Sequence, residues 1–461
     1  MNKPTALILI FISTLFTSCS GGGVSSSNSI ADEQNITNET LHFINTQTNI
    51  EVSSYGVIYS GNYMASFRTQ HQMIEMYDGR LLISGGRSVS GLFGNHIYSR
   101  TEIFDPITGI WNYNSSVKER SYSVKMVALL NNRVLIGSGK NAEVLDVNNQ
   151  IVSTITDPNC MSTIESGLAS VLLPDGRVLL TGSNLQHVGV AEIYHPDQEE
   201  FGCFEIIPGL TSTREGNTFT IVDDGRVLLA GGNGYQFANA EWFDPSNNTF
   251  QAIENPMMRQ RLGHSATLLN NGKILIAGGY DGQHHIASAE IFDPETESFS
   301  YTQNDMNIAR SNAHLMPIES GVRAGKVLVV GGYMADSLYG SSEIEVFDPE
   351  IESFSSIGLE FPNPSSYGAM STYGKGRYVY TGGYYGLNNM TIIDTNFVWV
   401  GTLGVKGGTA PYQFSITTGT GEIDADTGKI SLPFLEQNIS VRVTDANGNT
   451  ANHSFTVHFT E

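Results

Sequence analysis

The residues with the clearest chemical potential are arginines that recur at a fixed distance from glycine pairs. Arg68, Arg214 and Arg261 each lie 17 residues before the first position of such a pair. Arg120 and Arg310 occupy similar places where the intervening segment differs in length. A guanidinium binds carboxylates in a bidentate manner, so arginines gathered on one face would favour an acidic glycan or an acidic peptide as ligand. The alternative is that each arginine pairs locally with a Glu or Asp of the repeat.

The loops that follow two of the glycine pairs form the second group of candidates. One long loop contains His96 and Tyr98, and another contains His284 and His285. Long loops with aromatic groups suit ligand contact, and in antiparallel sheets these loops open on the same face as the arginines. His284 and His285 are adjacent, so on a strand they would point to opposite sides and form a poor metal pair. We therefore expect a binding rim that includes His96 and Tyr98, and no metal site.

A glutamate also recurs, at the start of the strand after the loop. It is present in six copies, as Glu102, Glu143, Glu192, Glu241, Glu290 and Glu345. A ring of carboxylates acting as a cation site is one interpretation. A residue repeated in so many copies is better explained by one structural role in each, such as accepting backbone hydrogen bonds.

These residues are positioned by a pattern that runs through most of the chain. A short apolar run ends in a glycine pair, a polar loop follows, and a second strand ends in an Asp-Pro turn, as in residues 224–245. The first positions of the pairs are Gly85, Ser138, Gly182, Gly231, Gly278, Gly331 and Gly382. They are 44 to 53 residues apart, and the second strand recurs with each of them.

The pattern resembles the kelch repeat, whose period is about 50 residues. The resemblance covers roughly residues 55–395 and implies a β-propeller of seven blades, in which the arginines would line a ligand-binding mouth. The apolar runs are expected to be buried on both faces, and the glycines to allow close backbone approach. The ring must be closed to avoid exposed sheet edges. We expect residues 55–64 to supply the outer strand of the last blade, with residues 397–400 as the rival.

Composition agrees with an all-β chain and excludes some partners. Gly accounts for 49 of 461 residues, aromatic residues for 10% and charged residues for only 15%. This composition is typical of short strands joined by tight turns. The formal net charge of −22 opposes binding to nucleic acid or to an anionic lipid surface.

The N-terminus has the features of a targeting segment. Lys3 precedes an apolar stretch that is too short to span a bilayer, and small residues then lead to Cys19. This arrangement resembles the lipobox of bacterial lipoproteins, although Phe16 stands where that family usually has Leu. The resemblance implies that residues 1–18 are a signal peptide, that Cys19 is lipidated and that the protein is anchored at the outer membrane or cell surface. An ordinary secretory signal is the alternative. Residues 19–40 are rich in Ser, Gly and Asn and would form a flexible tether.

Two further cysteines, Cys160 and Cys203, remain after Cys19. An exported chain lies where disulfides persist, so we expect one bridge between them, with two buried free thiols as the alternative. Neither has a His or a second Cys at metal-ligand spacing.

The composition changes near residue 396. Alternating strands separated by turns such as 444–448 predict a small β-sandwich over residues 396–461, which resembles the Ig-like modules of bacterial surface proteins. Its acidic turns suggest Ca²⁺ as an option, with simple Asx turns as the alternative. The predicted fold is thus all-β, with a propeller over 41–395 followed by this module.

For function, the sequence favours a binding protein of the cell envelope over an enzyme. It contains no phosphate-binding loop and no Ser-His-Asp order. We expect a protein, acidic glycan or acidic peptide partner, in an adhesion or receptor-like role. Two enzymes on kelch propellers set the alternative. A galactose-oxidase-like site would need a Cys cross-linked to Tyr, and a sialic-acid mutarotase would need only a few Arg, Glu and His residues.

Overall fold

The computed structural model is built of β-strands. It describes residues 42–44, 57–60 and 64–457, with gaps at 65, 67, 91–93, 99–100, 106–109, 115–124, 138–141, 147–150, 156, 212–213, 215, 233–238, 319–323, 335–339, 361–365, 373–376, 384–389, 395–397, 403, 407–409, 419–421, 424, 427–428 and 434–436. The described residues contain no helix long and apolar enough to cross a membrane. The predicted signal peptide, Cys19 and the tether lie outside the described residues.

The chain divides into two compact units. The larger comprises residues 57–395, and the smaller combines residues 1–56 with 396–461.

In its described part, the larger unit forms seven antiparallel sheets. Sheets 1 to 4 contain strands β3 (Thr69–Glu75), β4 (Leu81–Ser90), β5 (Gly94–Ile97), β6 (Thr101–Asp105) and β7 (Ile110–Asn114); β8 (Met126–Ala128), β9 (Val134–Ile136), β10 (Glu143–Leu145) and β11 (Ile151–Thr154); β12 (Ser166–Leu172), β13 (Val178–Ser183), β14 (Gly189–His195) and β15 (Cys203–Ile207); β16 (Thr218–Ile221), β17 (Val227–Ala230), β18 (Ala240–Asp244) and β19 (Thr249–Ala252). Sheets 5 to 7 contain β20 (Ser265–Leu268), β21 (Ile274–Ala277), β22 (Ala289–Asp293) and β23 (Ser298–Tyr301); β24 (His314–Pro317), β25 (Val327–Val330), β26 (Glu343–Asp348) and β27 (Ser353–Glu360); β28 (Ala369–Thr372), β29 (Arg377–Thr381), β30 (Met390–Asp394) and β2 (Val57–Ser60).

Sheet 7 is completed by the N-terminal strand. Strand β2 pairs antiparallel with β30, with Val57 opposite Ile393. The segment 55–64 therefore supplies the outer strand, as predicted. The rival segment lies in β31 (Val398–Thr402), which pairs with β35 (Lys429–Pro433) of the smaller unit.

The core lies between successive sheets. The second strands β17, β21 and β25 are buried along their whole length, because each packs against a neighbour on both faces. Seven apolar clusters each join two sheets that follow one another around the unit. One of them combines Met64, Leu81 and Phe104 with Ala369 and Val379, and so joins sheet 7 to sheet 1. The larger unit is therefore a closed ring of sheets.

The glycine pairs are required where one sheet meets the next. The Gly279 amide donates to the carbonyl of Arg310 at 2.9 Å, and a Cβ placed on Gly278 would lie 2.4 Å from the same carbonyl oxygen. The contact recurs where the ring closes, because the Gly383 amide donates to the Arg68 carbonyl at 3.0 Å. Any larger residue at the first position would displace the neighbouring backbone.

The smaller unit contains two three-stranded sheets and one two-stranded sheet. The first is β31, β35 and β34 (Glu422–Ile423), and the second is β33 (Gln413–Thr418), β36 (Gln437–Thr444) and β37 (Thr450–Val457). Phe414 and Val443 of the second sheet pack with Ile423 of the first. Strand β1 (His42–Ile44) pairs with β32 (Gly404–Lys406). Residues 42–44 thus belong with the smaller unit, whereas the sequence analysis placed residues from 41 onward in the propeller.

Candidate functional site

Four of the arginines singled out in the sequence are buried in ion pairs with the recurring glutamates. The pairs join the entry to the first strand of a sheet with its third strand, and they are Arg68–Glu102, Arg214–Glu241, Arg261–Glu290 and Arg310–Glu345. Each of these side chains is at most 3% exposed. Each arginine also donates to the carbonyl of the first glycine of its own sheet.

The pair in sheet 5 shows how the charges are satisfied. Arg261 Nε and Nη2 donate to Glu290 Oε1 at 3.1 and 2.9 Å, and Nη1 donates to the carbonyls of Gly278 and Ser288 at 2.9 and 2.6 Å. Glu290 also accepts the backbone amides of Met258 and Arg259 at 2.7 and 3.0 Å. Burial lowers the pKa of Arg261, and the facing Glu290 carboxylate opposes this shift. The pair therefore fastens the loop that enters the sheet.

This geometry corrects the expectation that the arginines bind ligand. The guanidiniums of Arg68, Arg214, Arg261 and Arg310 are directed into the sheets and bonded there, as in the alternative in which each pairs with a local carboxylate. Arg120 lies outside the described residues.

The loop candidates of sheet 1 have different outcomes. The Tyr98 ring lies 4.9 Å from the Arg68 guanidinium carbon, so it covers the buried ion pair. His96 lies on β5 opposite Ser88 of β4, and its side chain is outside the described part of the structure.

The entrance to the ring is framed by five residues at equivalent positions, two after the arginine in four of the sheets. This mouth ring consists of Gln70, Gly216, Gly263, Asn312 and Tyr367, whose φ angles are 59°, 70°, 61°, 52° and 61°. The Gly263 amide donates to the Gly216 carbonyl at 3.2 Å, Asn312 to Gly263 at 2.7 Å and Gln70 to Tyr367 at 2.8 Å. Three non-glycine residues thus adopt the left-handed conformation, a feature that clusters at functional sites.

A cavity of about 470 Å³ lies inside the mouth, where the first strands of the sheets converge. Its lining is mostly polar and includes Gln70, Gln72, Lys125, Ser265, Asn312 and His314. No Asp or Glu is among the described residues that line it.

Three histidines of this lining connect neighbouring sheets. The Nε2 atoms of His71 and His264 lie 2.9 Å from the hydroxyls of Thr381 and Thr218, and His314 Nε2 lies 3.2 Å from the Gly368 carbonyl oxygen. Burial lowers the pKa of His71 and of His264 to about 3, with nearby arginines lowering both further. These two imidazoles are therefore neutral at neutral pH, and each joins a sheet to its neighbour.

An aromatic row lies on the same face as the cavity. It consists of Tyr280, His285, Tyr333 and Tyr367, with successive ring centroids 5.2, 4.9 and 5.6 Å apart. Tyr280 and Tyr333 each follow a glycine pair, and all four side chains are partly exposed. The row crosses sheets 5 and 6 to reach Tyr367, which also lines the cavity.

The sequence analysis missed the aromatic row and Lys125. The spacing Arg-x-x-His at Arg68–His71 and Arg261–His264, and the Gly-Gly-Tyr at Tyr280 and Tyr333, were the available signals. Lys125 follows a masked segment and no motif marks it.

The two later cysteines form a disulfide. Cys160 and Cys203 are bonded, with a Cα–Cα distance of 4.4 Å, and they link the segment before β12 to β15. Both thiols are therefore occupied, and a galactose-oxidase-like Cys–Tyr cross-link would require this bridge to be broken. The described residues contain no group of three or more His, Cys, Asp or Glu side chains placed to hold a metal.

The acidic turn of the smaller unit is an Asx turn. Asp445 Oδ1 accepts the amides of Asn447 and Asn449 at 3.0 and 2.8 Å, and its Oδ2 accepts the Asn449 side chain. These bonds explain the residue without a bound ion.

Comparison with known families gives one match. Residues 261–304 match the family described as Kelch motif. They begin at Arg261 and span the four strands of sheet 5. A search of curated proteins found no match. The motif and the all-strand antiparallel architecture fit a kelch-type β-propeller, a class of fold in which kelch repeats generally mediate protein–protein interactions.

Proposed function

We propose that this protein is a lipid-anchored, seven-bladed kelch-type propeller of the bacterial cell envelope that binds a protein partner on the face bearing the aromatic row. The seven sheets and the cluster that joins the last to the first support the blade count. The smaller unit would be an Ig-like module that acts as a spacer or second contact.

The aromatic row is the observation that carries the proposal. Tyrosine is enriched in the cores of protein interfaces, because it buries a large rigid surface and keeps one polar group. Tyr280, Tyr333 and Tyr367 are only partly buried and are in contact through His285, so they form a continuous surface. Since the arginines belong to the scaffold, this row replaces them as the predicted contact, and an acidic partner is no longer required.

Site-specific photo-cross-linking in the native host tests the proposal. A photoreactive phenylalanine at Tyr333 is expected to give one discrete protein adduct. The same group at Ile351, which is 63% exposed in the turn between β26 and β27 at the opposite end of the strands, is the matched control. Equal adducts from both positions, or none from Tyr333, would refute a partner on this face. An adduct with a glycan instead of a protein would identify a carbohydrate ligand.

The anchor is tested separately. Palmitate labelling should be found in the wild-type chain and lost in Cys19→Ala, and surface biotinylation of intact cells would then distinguish a periplasmic from a surface orientation. Label retained in Cys19→Ala would contradict lipidation at that residue.

A further inference from the structure

The cavity inside the mouth ring has the charge and lining of a binding site for a small anion. The chain carries a formal net charge of −22, yet the described lining contains a lysine and no carboxylate. The lysine is Lys125, directly before the first strand of sheet 2. A cation kept in such a place creates a local positive potential within an acidic protein.

Lys125 makes no salt bridge with any residue in the described part of the chain. The other described lysines of the larger unit, Lys273 and Lys326, both pair with carboxylates on the outside. Burial lowers the pKa of Lys125, and the positive charge of Lys125 in turn lowers the pKa of His314. Two basic groups therefore share the cavity without a counter-charge, a situation that a bound anion would relieve.

The same cavity presents groups that bind hydroxyls. Gln70 lines it, and its side-chain oxygen has no hydrogen-bond partner in the described structure. Asn312 is exposed at the mouth, and the Tyr367 ring borders the entrance. An aromatic face beside amide groups is suited to a compact ring that carries hydroxyls on its edge.

We propose that this cavity binds a hydroxylated carboxylate of the size of a sugar acid. The carboxylate lies against Lys125 and His314, and the hydroxyls lie against Gln70 and Asn312. The volume of about 470 Å³ falls in the range of small-molecule sites and admits one such molecule. The site is separate from the contact proposed for the aromatic row, although Tyr367 borders both.

Calorimetric titration of the folded wild-type protein with galacturonate and with galactose tests this inference, because the two sugars differ only in the carboxylate. Galacturonate is expected to bind about tenfold to a hundredfold more tightly than galactose. Gluconate and citrate serve as further carboxylate probes, open-chain and lacking a sugar ring respectively. Equal affinity for both sugars, or no heat from any carboxylate, overturns the proposal.

Variants at Lys125 assign the binding to the cavity. Lys125→Met should lose that preference for galacturonate, whereas Lys125→Arg retains the charge and should preserve it. Lys326→Met is the matched control, since it removes a lysine whose partner Asp348 lies outside the cavity. Thermal unfolding of each variant shows that it is folded. Full galacturonate affinity in folded Lys125→Met overturns the assignment, while the cross-link from Tyr333 reports independently on the protein partner.

Discussion

Removing one buried arginine should destabilise the larger unit far more than removing an exposed lysine. Arg261 donates five hydrogen bonds inside sheet 5, and both it and Glu290 are fully buried. Arg261→Met leaves the Glu290 charge without its cation, which costs about 3–5 kcal/mol. With an unfolding entropy of about 2.1 cal/mol/K per residue over the 339 residues from 57 to 395, this corresponds to a drop in Tm of about 4–7 °C.

Calorimetry and urea unfolding measure this change, and a second lysine variant sets the baseline. Lys326→Met removes a pair whose side chains are 38% and 19% exposed, so it should cost less than about 1 kcal/mol. The double variant Arg261→Met/Glu290→Leu should cost less than the two single variants combined, because it leaves no unpaired charge. A loss below about 1 kcal/mol in Arg261→Met, or strict additivity in the double variant, would refute the role assigned to these pairs.

Three other predictions concern the scaffold. Gly278→Ala should be several-fold more destabilising in urea unfolding than Gly272→Ala, because both glycines have positive φ but only Gly278 faces a backbone oxygen, at 2.4 Å from its Cβ position; equal losses would contradict this reason for the glycine pair. Replacing Cys160 and Cys203 by Ser should cost about 4 kcal/mol for a separation of 43 residues, and unchanged unfolding under reducing conditions would contradict it. The pKa of His264 is lowered to about 3, so the unfolded chain binds a proton between pH 6.5 and 3 that the folded chain does not. Stability should therefore be complete above pH 6.5 and fall with acidification, and His264→Asn should reduce the slope of ΔG against pH by up to about 1.4 kcal/mol per pH unit.

The sequence predicted the scaffold well because the scaffold repeats. The apolar runs, the glycine pairs and the segment that closes sheet 7 each follow from a spacing that recurs along the chain. The candidate site could not be predicted in the same way. A recurring Arg such as Arg261 reads equally as a ligand contact or as the partner of a glutamate 29 residues later, and only the register of β22 against β21 decides between them.

The aromatic row and the cavity depend on contacts between sheets. Tyr333 and His285 come from different sheets, and Lys125 meets His314 across the ring, so no local pattern brings them together. Their positions follow from ring closure rather than from any one repeat. The equal spacing of Arg68–His71 and Arg261–His264 shows that the repeat extends into the lining, where the histidines hold the sheets together.

The pairing of β1 with β32 makes the smaller unit discontinuous in sequence. The larger unit is an insertion within it, with β1 before the insertion and β31 to β37 after it. During synthesis β1 must therefore wait while the ring is made, about 20 to 70 s at ordinary elongation rates. A fragment beginning at residue 396 would lack its first strand. The smaller unit is thus completed last, and its assembly reports that the whole chain has been made.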